Sequence, residues 1–271
     1  MECWLEEDRL SDLATSSYWN DEENEKTKEW HILDGDFRKM EEYVSRMRFP
    51  EALRGCVRAL KNKSGRDFGG TGIDLAAGSL WAVPHLFKLG RIERLYCLEF
   101  SKHRLLKIGP AVLEHYGVPP DKVVLVFGNF YDLHLPDASL DFVLLASAFH
   151  HAYEPERLLA EISRVLKPEG CVFIIGEPMA SRYKAYARHW AKYALARILP
   201  RAAQVRIFGH PLERSPFWPD QANIFPVDRV LGDHFYTPSR YRQMFEGQGF
   251  HPRGCTDRSV GMRSFVLVKS R

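Results

Sequence analysis

The chain has 271 residues, 45% of them hydrophobic and 27% charged, enough for one large α/β domain with an insertion or for two small domains. No stretch approaches the roughly 18 uninterrupted apolar residues of a membrane span, and the acidic opening MECWLEEDRL lacks the basic-then-apolar order of a secretory signal. The net charge of +3 conceals an asymmetry: residues 1–36 hold twelve Asp/Glu against three Lys/Arg, while Ala180 to Arg214 holds eight Lys/Arg and one Glu, a pattern that either attracts an anionic partner or simply solvates a helix face.

In chain order, the acidic segment comes first, with Trp4, Tyr18, Trp19 and Trp30 interleaved. It is polar enough for disorder, but its aromatics point to docking on another surface. From Phe37 to Lys61 the apolar spacing is helical, broken at Pro50, and KSGRDFGG is a turn or loop. A repeating pattern follows. TGIDLAA, RLYCLEF, KVVLVFG, LDFVLLASA and CVFIIGEP read as strands. Among them, WAVPHLFKLG is a helix ending on Gly90, KHRLLKIGPAVLEHYG an interrupted helix, and EPERLLAEISRVLKPEG a helix stopped by Lys-Pro-Glu-Gly. Such alternation predicts parallel βαβ units.

After an insertion from Met179 to Tyr236, TPSRYRQMFEGQGF predicts a helix capped by Thr237, opened by Pro238 and stopped by Gly249. RGCTDRS and RSFVLVKS read as two strands joined at VGM, hence antiparallel. The expected fold is α/β: a doubly wound, mainly parallel seven-stranded sheet with an antiparallel last strand, an N-terminal helical extension and a helical lid insertion. The expected divisions are an acidic and helical cap over 1–61, a core over 62–178, a lid over 179–236, and a return to the core over 237–271. The five cysteines form no C-x-x-C pair, which fits buried thiols in a reducing cytoplasm and argues against structural zinc.

In an open parallel sheet, ligands bind beyond the carboxyl ends of the strands. The loop in TGIDLAAGSLW is therefore the first place to look. Gly78 lets the backbone turn and approach a ligand. Glu99 closes the second strand, 25 residues after Asp74, where a carboxylate can accept two ribose hydroxyls. Asn129 and Phe130 follow the third strand, an amide for a base edge and a ring for its face.

DLAAGSLW, LYCLEFS and FGNFYDLHLPDASLDFVLLASAFHHAYEPERLLAEISRVLKPEGCVFIIGEP resemble the successive motifs of class I S-adenosylmethionine-dependent methyltransferases, in particular the methyltransferase type 11 group. The resemblance spans Gly72 to Pro178 and, more loosely, the last 35 residues. It implies a Rossmann-like core and S-adenosyl-L-methionine as cofactor. It places Asp74 at the cofactor's methionine end, Ala76, Gly78 and Leu80 where the family usually has three glycines, Glu99 on the ribose and Asn129 at the adenine. It sets Ala146 and Ser147 beside the methyl-transfer position, with His150 and His151 just beyond. Ala76 is expected at negative φ, where one methyl is tolerated. Leu80 either crowds the cofactor or points into the core between helix and sheet.

Methyl transfer needs alignment of an already activated methyl group, plus removal of a proton when the acceptor is a hydroxyl. His150, His151 and His31 are candidate bases. No metal site is expected, because neither adjacent histidine has an acidic or Cys partner at helical spacing. The expected partner is a small-molecule acceptor for O- or N-methylation, a sugar, lipid-linked or natural-product compound, anionic if the basic lid meets it. Residues 181–206 offer peripheral membrane contact. Nucleic acid is disfavoured by the lack of an N/D-P-P-Y/F tetrad. Two alternatives stay open: methylation of a quinone-type aromatic, and a non-catalytic scaffold whose cofactor loop has degenerated at Ala76 and Leu80.

Overall fold

The apolar runs form one mixed sheet in a computed structural model that describes residues 1–5, 16–26, 32, 35–178, 182–208, 211–212, 232–252 and 262–269. Its strands are β1 (Glu2–Cys3), β2 (Gly69–Leu75), β3 (Arg91–Glu99), β4 (Val123–Phe127), β5 (Leu140–Ala146), β6 (Leu166–Pro178), β7 (Phe250–Pro252) and β8 (Met262–Lys269), ordered β1-β4-β3-β2-β5-β6-β8-β7. β8 is antiparallel to β6 and β7, and every other pairing is parallel. The doubly wound, mainly parallel sheet is as expected, but among the described residues it has eight strands rather than seven. The extra one pairs Glu2 and Cys3 with Val126 and Phe127, so the N-terminal extension is not purely helical. Two residues carry no readable period; the open edge of β4 recruits them.

The helices are α1 (Ser16–Trp19), α2 (Glu22–Lys26), α3 (Arg38–Arg46), α4 (Phe49–Ser64), α5 (Ala82–Leu89), α6 (Gly109–His115), α7 (Pro155–Val165), α8 (Arg182–Ile198), α9 (Arg201–Phe208) and α10 (Pro238–Gly247). Pro50 divides α3 from α4 by occupying the first turn of α4. Pro110 does the same for α6, which follows a wider-wound turn at Arg104–Ile108. Thr237 accepts the Arg240 N–H at 3.2 Å to cap α10. Lys-Pro-Glu-Gly does more than stop α7. It lies inside β6 as a bulge, with Leu140 opposite Leu166 but Phe142 opposite Cys171, and Glu169 at φ 65°.

Strand alternation assigns the two cores. Phe142, Leu144, Phe173 and Ile175 face α4, α5 and α6 through Leu53, Leu86 and Val112. Val143, Leu145, Val172 and Ile174 face α7 and α10 through Leu158, Ile162 and Phe245. All are fully buried, each contributing about 1.5–3 kcal/mol. A Cβ on Gly72 would meet the Phe142 ring at 2.2 Å, so glycine is needed where β2 passes β5. Cys56, Cys97 and Cys171 are buried free thiols, while Cys3 is exposed. β7 begins at Phe250, ahead of RGCTDRS, whose residues 253–259 lie outside the described residues; β7 and β8 pair antiparallel as expected. No helix among the described residues is long and apolar enough to cross a membrane.

Candidate active site

β2 pairs with β3 on one side and β5 on the other, which makes its carboxyl end the switch point of the sheet. There the chain turns through residues 76–81 into α5. Ala76, Gly78 and Leu80 have φ of 56°, 56° and 57°. This corrects the expectation of negative φ at Ala76. The loop keeps the left-handed backbone that glycines would adopt freely, at roughly 1–2 kcal/mol for each Cβ placed there. Hydrogen bonds hold it: Ala77 N–H to Leu98 O and Leu80 N–H to Ala77 O, both at 2.9 Å. Leu80 is fully buried with Trp81 in the core beneath α5, so its bulk fills the layer between helix and sheet. A Cβ added at Gly78 would meet only the Arg104 guanidinium at 3.8 Å and Ala76 O at 3.9 Å, ordinary contact distances, so nothing crowds that turn.

Two buried carboxylates flank this loop. Glu99 Oε2 accepts the Gly78 N–H at 2.9 Å, and Oε1 accepts the Phe100 and Ser101 N–H groups at 2.9 and 3.0 Å. Arg104 Nη1 is a more distant donor, 3.4 Å from Oε2. Glu99 thus ties the loops after β2 and β3 together. Asp74 is equally buried, and its Oδ1 has no hydrogen-bond partner among the described residues. Burial, with Glu99 adding to it, pushes the Asp74 carboxyl up to about 8.

Asn129 sits in the loop after β4. Its Oδ1 accepts the Tyr131 N–H at 2.8 Å, which leaves the amide NH₂ and a second oxygen lone pair for a base edge. Phe130 is edge-on to Tyr131, with ring centroids 4.8 Å apart. Ala146 ends β5, and Ser147, at φ 55°, donates its N–H to Ile175 O at 2.6 Å. The chain then enters a short turn, Phe149–His151.

The two histidines of that turn are treated differently. His150 is buried, and its Nδ1 lies 3.1 Å from Glu177 Oε2 on β6. Glu177 is fully buried and also receives the Tyr241 hydroxyl at 3.0 Å and the Phe149 N–H at 3.2 Å. Burial alone would lower the His150 pKa, but the Glu177 charge, with Asp233 behind it, outweighs this and raises it. His151 is held below its usual value by burial and by His150, against the opposing pull of Asp233. Asp233 Oδ1 lies 3.1 Å from His151 Nδ1 and 3.9 Å from His150 Nε2. Asp233 thus arrives beside both histidines from far along the chain rather than at helical spacing. The His234 N–H, donated to His150 O at 2.8 Å, pins that segment in place.

The N-terminal segment crosses the same edge. Trp19 of α1 is edge-on to His151 at 5.6 Å and lies 5.3 Å beneath the Arg104 guanidinium. Glu22 pairs with Lys107 at 3.0 Å and faces His103 at 3.4 Å. Its described ion pairs thus go to the core rather than to the basic insertion. His31 lies outside the described residues, as do the side chains of Arg182, Lys184 and Arg188 and most of the loop HPLERSPFWPD. A separate recess lined by Arg66, Gly70 and Lys167 opens near the amino end of β2, and Lys167 there already pairs with Asp141 at 2.9 Å.

Glu177, Asp233, Arg104 and Trp19 were not expected at this site from sequence. Glu177 stands in CVFIIGEP, where an acid at the end of a buried strand was a usable signal, and Trp19 is one of the N-terminal aromatics expected to dock on another surface; Asp233 and Arg104 had none. Residues 73–174 match the family model of a methyltransferase domain. Over 205 residues the chain is 25% identical to a demethylmenaquinone methyltransferase of Anoxybacillus flavithermus, covering 73% of this chain and 83% of that protein. It is 33% identical over 127 residues to a dimethylglycine N-methyltransferase of Parasynechococcus marenigrum, covering 47% of this chain and 39% of that one. The fold is similar to that of a Burkholderia thailandensis 1,6-didemethyltoxoflavin-N1-methyltransferase solved with its substrate and S-adenosylhomocysteine, at TM-score 0.50 and 13% identity, covering 85% of this chain and 87% of that chain.

Proposed function

We infer that this chain, a class I S-adenosylmethionine-dependent methyltransferase, transfers a methyl group from S-adenosyl-L-methionine to a small-molecule acceptor held beyond the carboxyl ends of β2 and β5. One observation carries this reading. Asp74 is a buried carboxylate whose Oδ1 has no partner among the described residues, at the end of the strand that leads into the Gly78 turn. A carboxylate so placed calls for a cation, and the ammonium at the cofactor's methionine end is one. The residues present fit the group. Bound there, the cofactor supplies a methyl already activated on a sulfonium sulfur.

The chain's own residues supply the rest. Asp74 takes the ammonium, and Gly78 allows close backbone approach. Glu99 receives the ribose hydroxyls as Arg104, its longest contact, gives way. Asn129 and Phe130 bound the adenine, and Ala146 and Ser147 bound the methyl-transfer position. Glu177 occupies His150 Nδ1, which fixes the tautomer and leaves Nε2 to take a proton from an acceptor hydroxyl. Trp19 excludes water from the His151 side. Calorimetry tests the reading: S-adenosylmethionine and its demethylated product bind and NAD does not. No heat from either sulfur nucleotide at millimolar concentration overturns it.

A second observation bears on the acceptor. Ile198, Val205 and Ile207 are 76%, 46% and 61% exposed on α8 and α9, among Lys192, Arg197, Arg201 and Arg206, and residues 182–208 contain no Asp or Glu. An exposed apolar and basic surface suits an acceptor drawn from an anionic lipid layer, as a quinone of the kind named for the relatives would be. Sedimentation with anionic vesicles, but not with neutral ones, is the expected result; indifference to vesicle charge overturns it.

A further inference from the structure

We propose that His150, His151 and Asp233 form a binding site for a divalent metal ion on the acceptor side of the cleft. The role of such an ion rests on the methyl-transfer reading above, but its binding does not. One donor atom from each residue lies within 4.8 Å of the other two, the only such group among the described residues. Asp233 Oδ1 is 3.1 Å from His151 Nδ1 and 3.9 Å from His150 Nε2. Donor atoms about 2.1 Å from a tetrahedral ion stand about 3.4 Å apart, so the two spacings bracket that value.

Two further features point to a ligand. His151 Nδ1 and Asp233 Oδ1 are both buried and face one another at 3.1 Å, but in a geometry that satisfies neither with a well-formed hydrogen bond among the described residues. Buried polar atoms left poorly satisfied are costly, and a cation held between them would satisfy both. Glu177 supplies the other feature. A ligating histidine characteristically donates its second ring N–H to a carboxylate, which orients the ring and raises its basicity. His150 Nδ1 meets Glu177 at 3.1 Å, and the Tyr241 hydroxyl and Phe149 N–H fix Glu177 in turn. His150 Nε2 is thereby turned toward Asp233.

The ligand class follows from the donors. Two imidazole nitrogens and one carboxylate oxygen suit zinc, iron(II), manganese or cobalt rather than magnesium or calcium. Three protein ligands leave at least one position open, as in catalytic rather than structural sites. The cluster follows β5, so that position faces the place assigned to the acceptor, and an acceptor oxygen can fill it. The proton of a coordinated hydroxyl would then pass to solvent, and His150 would serve as a ligand rather than a base.

The test uses the full chain, stripped with chelator and titrated with Zn²⁺ and with Co²⁺ in the absence of S-adenosylmethionine. One equivalent should bind at about micromolar affinity or tighter, and Co²⁺ should develop visible d–d absorption. His151→Ala and Asp233→Asn should each weaken binding at least tenfold, and Glu177→Gln should weaken it less. If His151→Ala unfolds, as circular dichroism would reveal, Asp233→Asn at the partly exposed segment gives the decision. Absence of stoichiometric binding overturns the proposal, as does binding that both variants leave unchanged, which would put the ion on other histidines. Cofactor calorimetry on the same samples separates the two readings: metal without nucleotide sinks methyl transfer, and nucleotide without metal sinks this site.

Discussion

The proposed cofactor side and the proposed acceptor side of the site are assembled differently. Asp74, Gly78 and Glu99 come from the ends of two adjacent strands and the turn after the first, and backbone N–H groups hold Glu99: Gly78, Phe100 and Ser101 all donate to it. The acceptor side draws His150 and His151 from the turn after β5, Glu177 from β6, Asp233 and Tyr241 from around α10, and Trp19 from α1. The first site depends on backbone shape. It survives alanine and leucine at glycine positions because φ is kept and the Leu80 side chain has a core to enter. The second depends on tertiary packing, and its side chains carry both the chemistry and the contacts between elements.

That contrast can be broken by substitution. The largest effect is expected at Glu177. Glu177→Gln should lower turnover at saturating acceptor by roughly 10²-fold or more, through loss of the charge behind His150, with cofactor affinity within about twofold of the parent protein. Radiolabelled methyl transfer and calorimetry, run in parallel, check it; a matching loss of cofactor affinity would mean that the two sides are not separable. Next is Glu99→Ala, which removes charge-assisted hydrogen bonds of roughly 1.5–3 kcal/mol each and should weaken cofactor binding at least about tenfold by calorimetry.

Asp74 sharpens the comparison because function and stability should part there. Its folded-state pKa of about 8 exceeds the ordinary 3.8. The folded state therefore binds more protons than the unfolded state between those values, so stability falls as pH rises from about 4 to about 8. Asp74→Asn should melt higher than the parent in the absence of cofactor, by about 10 °C or more at pH 8 and progressively less toward pH 4, while binding the cofactor about tenfold more weakly. Equal melting points at pH 8 would mean that the carboxylate is not stranded. The smallest effect is expected from Ala76→Gly. Relief of a left-handed Cβ should raise the melting temperature by about 2–4 °C with cofactor affinity unchanged; a drop in melting temperature would show that Ala76 is not strained.

The positions of the residues proposed to hold the cofactor were largely legible in the sequence. Asp74, Gly78, Glu99 and Asn129 stand at the ends of apolar runs, and those runs determine the strand ends that bring them to one edge. Even so, the sign of φ at Ala76 was misjudged, because an alanine carries no mark of a left-handed backbone that hydrogen bonds from Ala77 and Leu80 impose. Thr237, Pro238 and Pro110 were readable as helix starts, since capping and a missing N–H act within one turn.

What the sequence determined by itself is therefore the set of interactions that act over a few residues: the alternation assigning Phe142 and Leu144 to one core and Val143 and Leu145 to the other, the helix starts, and the strand-end loops that carry Asp74 and Glu99. The tertiary structure alone decided the pairing of Glu2 and Cys3 with β4, the descent of Trp19 onto His151, and the arrival of Asp233 beside two histidines more than eighty residues earlier. Those contacts close long loops. Loop closure costs an entropy that grows only slowly with length, so sequence separation hardly limits which residues meet, and the packing of α10 and the segment before it chose Asp233.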